Sequence, residues 1–186
     1  ALSSAASDVY KRQGKENRME SKHYKYWKSI EDLKRCVTCG KNHGKIYLLD
    51  ELVAPKPPIH EYCRCIIDRL KSIIAGNATK NGSLGADLWL KEFGKLPPYY
   101  ISSSEAKKLG WKSTLGNLNS VAPGKMLAKG IYENRNGHLP SASNRVWYEA
   151  DIDYTSGYRG ISRILYSNDG LIFVTYDHYQ TFSEIV

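Results

Sequence analysis

The stretch Arg145-Val146-Trp147-Tyr148-Glu149-Ala150-Asp151-Ile152-Asp153-Tyr154 decides the fold. Val146, Tyr148, Ala150, Ile152 and Tyr154 take one side of it, and Arg145, Trp147, Glu149, Asp151 and Asp153 the other. A period of two is that of a β-strand with one apolar and one polar face. Downstream, Ile161–Ser167 and Leu171–Thr175 flank Asn168-Asp169-Gly170, a hairpin turn signal. Upstream the period changes: Ala86, Leu88, Leu90 and Phe93 line one helical face that ends at Gly94. Ser102-x-x-Glu105 is a capping box that opens a second helix, and Gly110 closes it. Helices followed by antiparallel strands predict an α+β domain over residues 75–186, with its N-terminal helices packed on a C-terminal antiparallel sheet.

The chain has 186 residues, 41% of them hydrophobic and 25% charged, which allows one ordinary domain and a small module. Wholly disordered and membrane-spanning proteins are excluded, because no apolar run approaches the roughly 20 residues a bilayer requires. The net charge of +8 lies mainly in the first 74 residues and favours polyanionic partners. Ala1 to Gln13 lacks the pattern of a signal peptide, and residues 1–28 are expected to be a flexible or artefactual basic arm. Within the arm, Lys22 to Lys28 reads as a solvated helix, with contact to nucleic acid as the alternative. A short helix capped by Ser29 is expected to run to Arg35, and residues 76–85 read as a turn-rich linker.

Residues 29–74 hold all four cysteines and are broken by Pro55, Pro57 and Pro58, so this segment needs a staple. Cys36-x-x-Cys39 and His60-x-x-Cys63-Arg64-Cys65 are two knuckles suited to tetrahedral zinc. Cys36, Cys39, Cys63 and Cys65 form the simplest ligand set for a structural zinc. Cys36, Cys39, His60 and Cys63 form the competing set, and disulfides remain open. His43 is not expected to be a ligand.

In the second half, Glu149, Arg159, Arg163 and His178 can be brought to one surface by neighbouring strands. A carboxylate, an imidazole and two guanidinium groups suffice to cleave RNA without a metal. The carboxylate takes the 2′-OH proton, the arginines hold charge on phosphorus, and the imidazolium protonates the leaving oxygen.

From Leu96 to Phe182 the chain resembles the barnase-like family of microbial guanyl-preferring ribonucleases. The resemblance is carried by Leu96-Pro97-x-x-Tyr100-Ile101, Ser104-Glu105-Ala106, Leu109-Gly110-Trp111, Gly116-Asn117-Leu118 and Val121-Ala122-Pro123-Gly124-Lys125. It continues through Asn134-Arg135-x-Gly137-x-Leu139-Pro140, Glu149-Ala150-Asp151-Ile152 and Tyr154-Thr155-Ser156-Gly157. Arg163-Ile164-Leu165-Tyr166-Ser167 and Asp177-His178-Tyr179-Gln180-Thr181-Phe182 complete it. The resemblance implies the microbial ribonuclease fold, with Glu149 as general base, His178 as general acid and Arg159 and Arg163 as phosphate clamp. It implies a base-reading loop at residues 132–137, with Tyr132, Asn134, Arg135 and Asn136 as substrate-binding residues and Tyr179 stacking on the base. Trp111 and Trp147 fall at structural positions, and His138 is expected to be an exposed loop residue. Catalysis would need no cofactor, and the partners implied are an RNA substrate and an acidic inhibitor, barstar-like in role.

Two positions depart from the family pattern. Its catalytic lysine, just after the helix N-cap, is Ser103 here, which implies an attenuated enzyme. The acidic residue that meets the guanine edge is Asn136, which implies a looser purine preference. The module from Cys36 to Cys65, with His43-Gly44-Lys45-Ile46-Tyr47 and Pro57-Pro58-Ile59-His60-Glu61, resembles the C-terminal piece of phage minor head proteins. Together the two resemblances imply a polymorphic-toxin fragment, secreted or delivered into target cells. The rival readings are a catalytically decayed RNA-binding module and a phage-head structural adaptor.

Overall fold

The computed structural model describes residues 18–186. They form one nine-stranded, mostly antiparallel sheet accompanied by a few short helices. The strands are β1 Arg18–Lys28, β2 Ile46–Leu48, β3 Ile66–Ile73, β4 Tyr100–Ser102, β5 Met126–Tyr132, β6 Trp147–Asp151, β7 Arg163–Ser167, β8 Ile172–Thr175 and β9 Ser183–Ile185. The helices are α1 Val37–Asn42, α2 Ala86–Phe93, α3 Ser103–Lys108 and α4 Leu118–Val121. The sheet order is β2-β1-β3-β9-β8-β7-β6-β5-β4, with β3/β9 and β4/β5 parallel.

The deciding stretch forms β6, shorter than its alternation because Asp153 turns out of the strand at φ 59°. Its polar side is not a solvated face. Trp147, Glu149 and Asp151 are all buried, as is Ala150 on the opposite side. β6 lies between β5 and β7, and both of its faces are covered. The β7–β8 hairpin forms as expected, with Gly170 at φ 91° in the turn.

α2 ends at Gly94, which takes the left-handed conformation (φ 65°) that a side chain disfavours. Ala86 and Leu90 pack with Ala150, Ile152, Ile164 and Val174, whereas Phe93 is exposed rather than part of the buried face. Asp87 is fully buried and orders the turn before the helix, accepting Gly76 N–H and Ala78 N–H (both 2.8 Å) and Thr79 Oγ1–H (3.1 Å). α3 carries the expected capping box: Glu105 N–H donates to Ser102 Oγ, and Ser102 N–H to Glu105 Oε2.

Three expectations are corrected, two of them in the first half. Residues 18–28 are strand β1, not an arm or a solvated helix; residues 1–17 lie outside the described residues. The buried positions of β1 are Ser21, Tyr24 and Trp27, because a bulge between Glu20 and Lys25 shifts the register against β3. No helix forms over Ser29–Arg35: Ser29 N–H donates to His43 Nδ1 (3.1 Å), and the helix starts later, at Val37, capped by Cys36. His138 is buried, and its Nδ1 lies 3.0 Å from Tyr179 O.

A common core spans both halves of the chain. Tyr24, Ile46 and Leu70 pack with Leu139, Trp147, Leu165, Phe173 and Phe182, while Trp27 packs with Cys39 and Cys65 in a second cluster. Gly44, at φ 82°, sits so close to the 178–180 loop that a Cβ would lie 2.0 Å from Gln180 O. Gly44→Ala should therefore destabilise the protein by about 1–3 kcal/mol from overpacking, in addition to the left-handed strain. Gly124→Ala, at φ 70° with open space around it, should show the strain alone. Urea unfolding of the two variants makes the comparison.

Candidate active site and cysteine cluster

The polar side of β6 projects Glu149 and Asp151, two residues apart and therefore on one face. Two carboxylates buried at 5% and 1% exposure require cations. Arg163 begins the neighbouring strand opposite Asp151, and its Nε lies 3.3 Å from Glu149 Oε1 and 3.2 Å from Asp151 Oδ1. That N–H is aimed well enough to hydrogen-bond neither of them. Arg159 arrives from the loop between β6 and β7. Its Nε donates to Asp151 Oδ2 (2.6 Å), Nη2 donates to Asp151 Oδ1, and Nη2 lies 3.8 Å from Glu149 Oε1. Burial opposes the Arg159 charge, but the bond to Asp151 and the attraction of the Asp151 and Glu149 carboxylates together outweigh it and raise the pKa. Asp151 is the residue that sequence reasoning missed; its signal was the Glu-x-Asp spacing on one strand face.

Tyr179 joins this cluster to the surface. Its hydroxyl donates to Glu149 Oε1 (2.7 Å), and burial and the carboxylate together push its pKa up. One face of its ring stacks on Tyr132 (5.5 Å, 17°), and the His178 ring lies 5.0 Å away. Tyr132, Asn134, Arg135, Asn136, His178 and Tyr179 all line one open cleft of about 440 Å³. Tyr179 thus bonds Glu149 through its hydroxyl and adjoins its chain neighbour His178 through its ring.

The loop residues divide. Asn134, at φ 46°, spends its side chain on the loop itself: Nδ2 donates to Leu139 O (2.8 Å) and Oδ1 accepts Leu139 N–H (3.1 Å). Arg135 is exposed and paired with Glu133, and Asn136 is exposed at the cleft. Ser103 opens α3 one residue after the cap Ser102.

The cysteines gather away from this cleft. Cys36 caps α1 and accepts Cys39 N–H at its sulfur (3.3 Å), the N–H···S contact of a metal knuckle. Cys39 Sγ lies 3.8 Å from Cys63 Sγ, and His60 Nε2 lies 3.3 Å from Cys36 Sγ and 3.1 Å from Cys39 Sγ. Two ligand groups share Cys39: Cys36, Cys39 and His60, and Cys39, Cys63 and Cys65. Tetrahedral zinc at ~2.3 Å from sulfur has an S···S edge of about 3.8 Å, so these residues fit a zinc ion. His60 Nδ1 faces Glu61 O (2.7 Å), which leaves Nε2 to act as a ligand.

Breaking the buried ion cluster should be costly. Asp151→Ala leaves two guanidinium groups under-compensated and should reduce stability by about 3–5 kcal/mol, read from denaturant unfolding. Arg145→Ala, which loses a half-exposed pair with Asp169, should cost far less.

Comparison with known proteins follows the same residues. The ribonuclease family model matches residues 90–186. A ribonuclease of Heyndrickxia coagulans is 50% identical over 97 residues, which cover 52% of this chain and 89% of that protein. Ribonucleases of Bacillus intermedius and Bacillus pumilus are each 50% identical over 97 residues, and there the match covers 60% of the relative's length. With a family match over more than half its length, the chain belongs to the ribonuclease family and is an endoribonuclease of the barnase type.

Proposed function

We propose that the protein cleaves single-stranded RNA by transesterification at the cleft lined by His178 and Tyr179, with Glu149, bonded to Tyr179, as the base. The observation that carries this is Tyr179, which bonds Glu149 and lies against His178 in the cleft lined by the base-reading loop. Glu149 removes the 2′-OH proton and the 2′ oxygen bonds to phosphorus. His178 protonates the 5′ oxygen as its bond to phosphorus breaks, leaving a 2′,3′-cyclic phosphate that is hydrolysed more slowly. Arg159 and Arg163 hold the charge that develops on the phosphorane oxygens. Arg163 Nε–H, buried without a hydrogen-bond partner among the described residues, supports that role. Glu149→Gln and His178→Gln should each lower cleavage of an RNA oligonucleotide by at least about 10²-fold, on the scale of general acid–base catalysis. Near-normal rates in both would refute the acid–base assignment.

Base recognition falls to the 132–137 loop, with Tyr132, Arg135 and Asn136 exposed to the cleft and Asn134 shaping the backbone. Asn136 offers one acceptor oxygen and no charge, so the purine preference is loose. Cleavage of GpN over ApN dinucleotides should be modest, and a strict GpN preference would contradict it. Ser103 makes the enzyme attenuated. Ser103→Lys should raise kcat, because a cation placed on the transferring phosphate is typically worth about 2–4 kcal/mol.

The module supplies a structural zinc site built from Cys36, Cys39, Cys63 and either His60 or Cys65, with disulfides as the competing chemistry. Bound zinc would hold α1 against the 60–65 turn and stabilise the shared core. One zinc per chain by elemental analysis, lost in one of His60→Ala and Cys65→Ser but not the other, would identify the fourth ligand. We further read the chain as a toxin fragment, secreted or delivered, whose cleft an acidic inhibitor covers. The net charge of +8 and the phage-head-like module support that reading.

A further inference from the structure

β5 pairs with β6 through a bulge. Ala128 faces Ala150 and Gly130 faces Glu149, so Lys129 has no opposite residue and shares Glu149's position with Gly130. Such a bulge places two residues against one and re-aims a side chain, a device common beside active sites. Gly130 takes φ 89°, which an L-residue rarely adopts, so the distortion is accommodated by a glycine. The result is that Lys129 Nζ stands 3.4 Å from Glu149 Oε1 while 41% of the side chain remains exposed. The other cations of the cluster are the two arginines. Arg159 is bound to Asp151 by two donors, and Arg163 lies between the two carboxylates.

The position is informative. β4 runs parallel to β5, with Tyr100 facing Met126, Ile101 facing Leu127 and Ser102 facing Ala128. The pairing ends there: Ser103 opens α3, and Lys129 is the first residue of the bulge. The residue that lacks a charge and the residue that brings one thus each follow directly on the Ser102–Ala128 pair.

We propose that Lys129 is a catalytic residue that delivers to the scissile phosphate the positive charge absent at Ser103. This rests on the reading of Glu149 as base. In the free protein Lys129 pairs with the Glu149 carboxylate. When Glu149 takes the 2′-OH proton its charge is neutralised, and the negative charge moves to the phosphorane oxygens. The ammonium, on a flexible and half-exposed stem, then follows that charge and keeps its own proton throughout. Attenuation at Ser103 is accordingly partial: the cation is present but reaches the site from one strand away.

The test is steady-state cleavage of an RNA oligonucleotide by the full chain carrying Lys129→Gln, Lys129→Arg, Ser103→Lys or Lys129→Gln with Ser103→Lys. Lys129→Gln should lower kcat on the order of 10²-fold with KM within about threefold, because the interaction belongs to the transition state. Lys129→Arg should retain most of the rate. Adding Ser103→Lys should restore Lys129→Gln to within about tenfold of wild type, which a merely structural lysine would not permit. The proposal falls if Lys129→Gln cleaves within threefold of wild type while Glu149→Gln is inactive. It also falls if the loss persists in the double variant at an unchanged Tm, or if the wild-type chain cleaves only after Ser103→Lys. If Glu149→Gln itself cleaves normally, the acid–base reading fails, and the assignment of Lys129 with it.

Discussion

Two carboxylates buried side by side on one strand face are the constraint around which the rest is arranged. Glu149 and Asp151 cannot remain in the middle of the sheet as anions without cations at hydrogen-bonding range. That requirement fixes Arg163 at the start of β7 and draws Arg159 back from the β6–β7 loop. It also places the Tyr179 hydroxyl on Glu149 and Lys129 over the bulge. The cluster sets three cations against two carboxylates and is not closed by hydrogen bonds. Among the described residues Arg163 Nε–H has no hydrogen-bond partner, and Lys129 is half exposed, which supports the proposed role of this charge toward an incoming phosphate.

The N-terminal half takes part in this arrangement through packing. Tyr24 points into the sheet core against Phe173, and Trp27 points to the other side against Cys39 and Cys65, so β1 is covered on both faces. Gly44 lies against Gln180 O, Ile46 N–H donates to His138 O, and His138 meets Tyr179 O. The loop that carries His178 and Tyr179 is thus backed by residues 44–46. A zinc ion among the cysteines would stabilise the same scaffold indirectly, because Trp27 belongs to both the strand and the cysteine cluster.

What the sequence makes legible is what is determined locally. The Ser102–Glu105 box, the Gly94 cap and the Asn168–Gly170 turn depend on a few adjacent residues, and each forms where the pattern puts it. Long-range pairing is where the pattern fails. β1 reads as an arm because its bulge spaces the buried residues three apart and masks the period of two. The polar side of β6 reads as a surface because nothing local indicates that β5, β7 and the Arg159 loop cover it. His138 reads as exposed because its partner is Tyr179, forty-one residues away. Of the site, Glu149, His178 and the two arginines are legible through their chemistry and the family resemblance. Asp151 had a signal in the Glu-x-Asp spacing that puts it on Glu149's face, whereas Lys129 emerges only from register, turned toward Glu149 by a bulge.

The central claim is that the ribose 2′ oxygen is the nucleophile. An RNA oligonucleotide with a single 2′-O-methyl group at the scissile nucleotide tests it directly, with products identified by mass spectrometry. The account predicts a 2′,3′-cyclic phosphate end from the unmodified strand and no cleavage at the methylated position. Cleavage at that position, or a product with a 5′-phosphate, would contradict it.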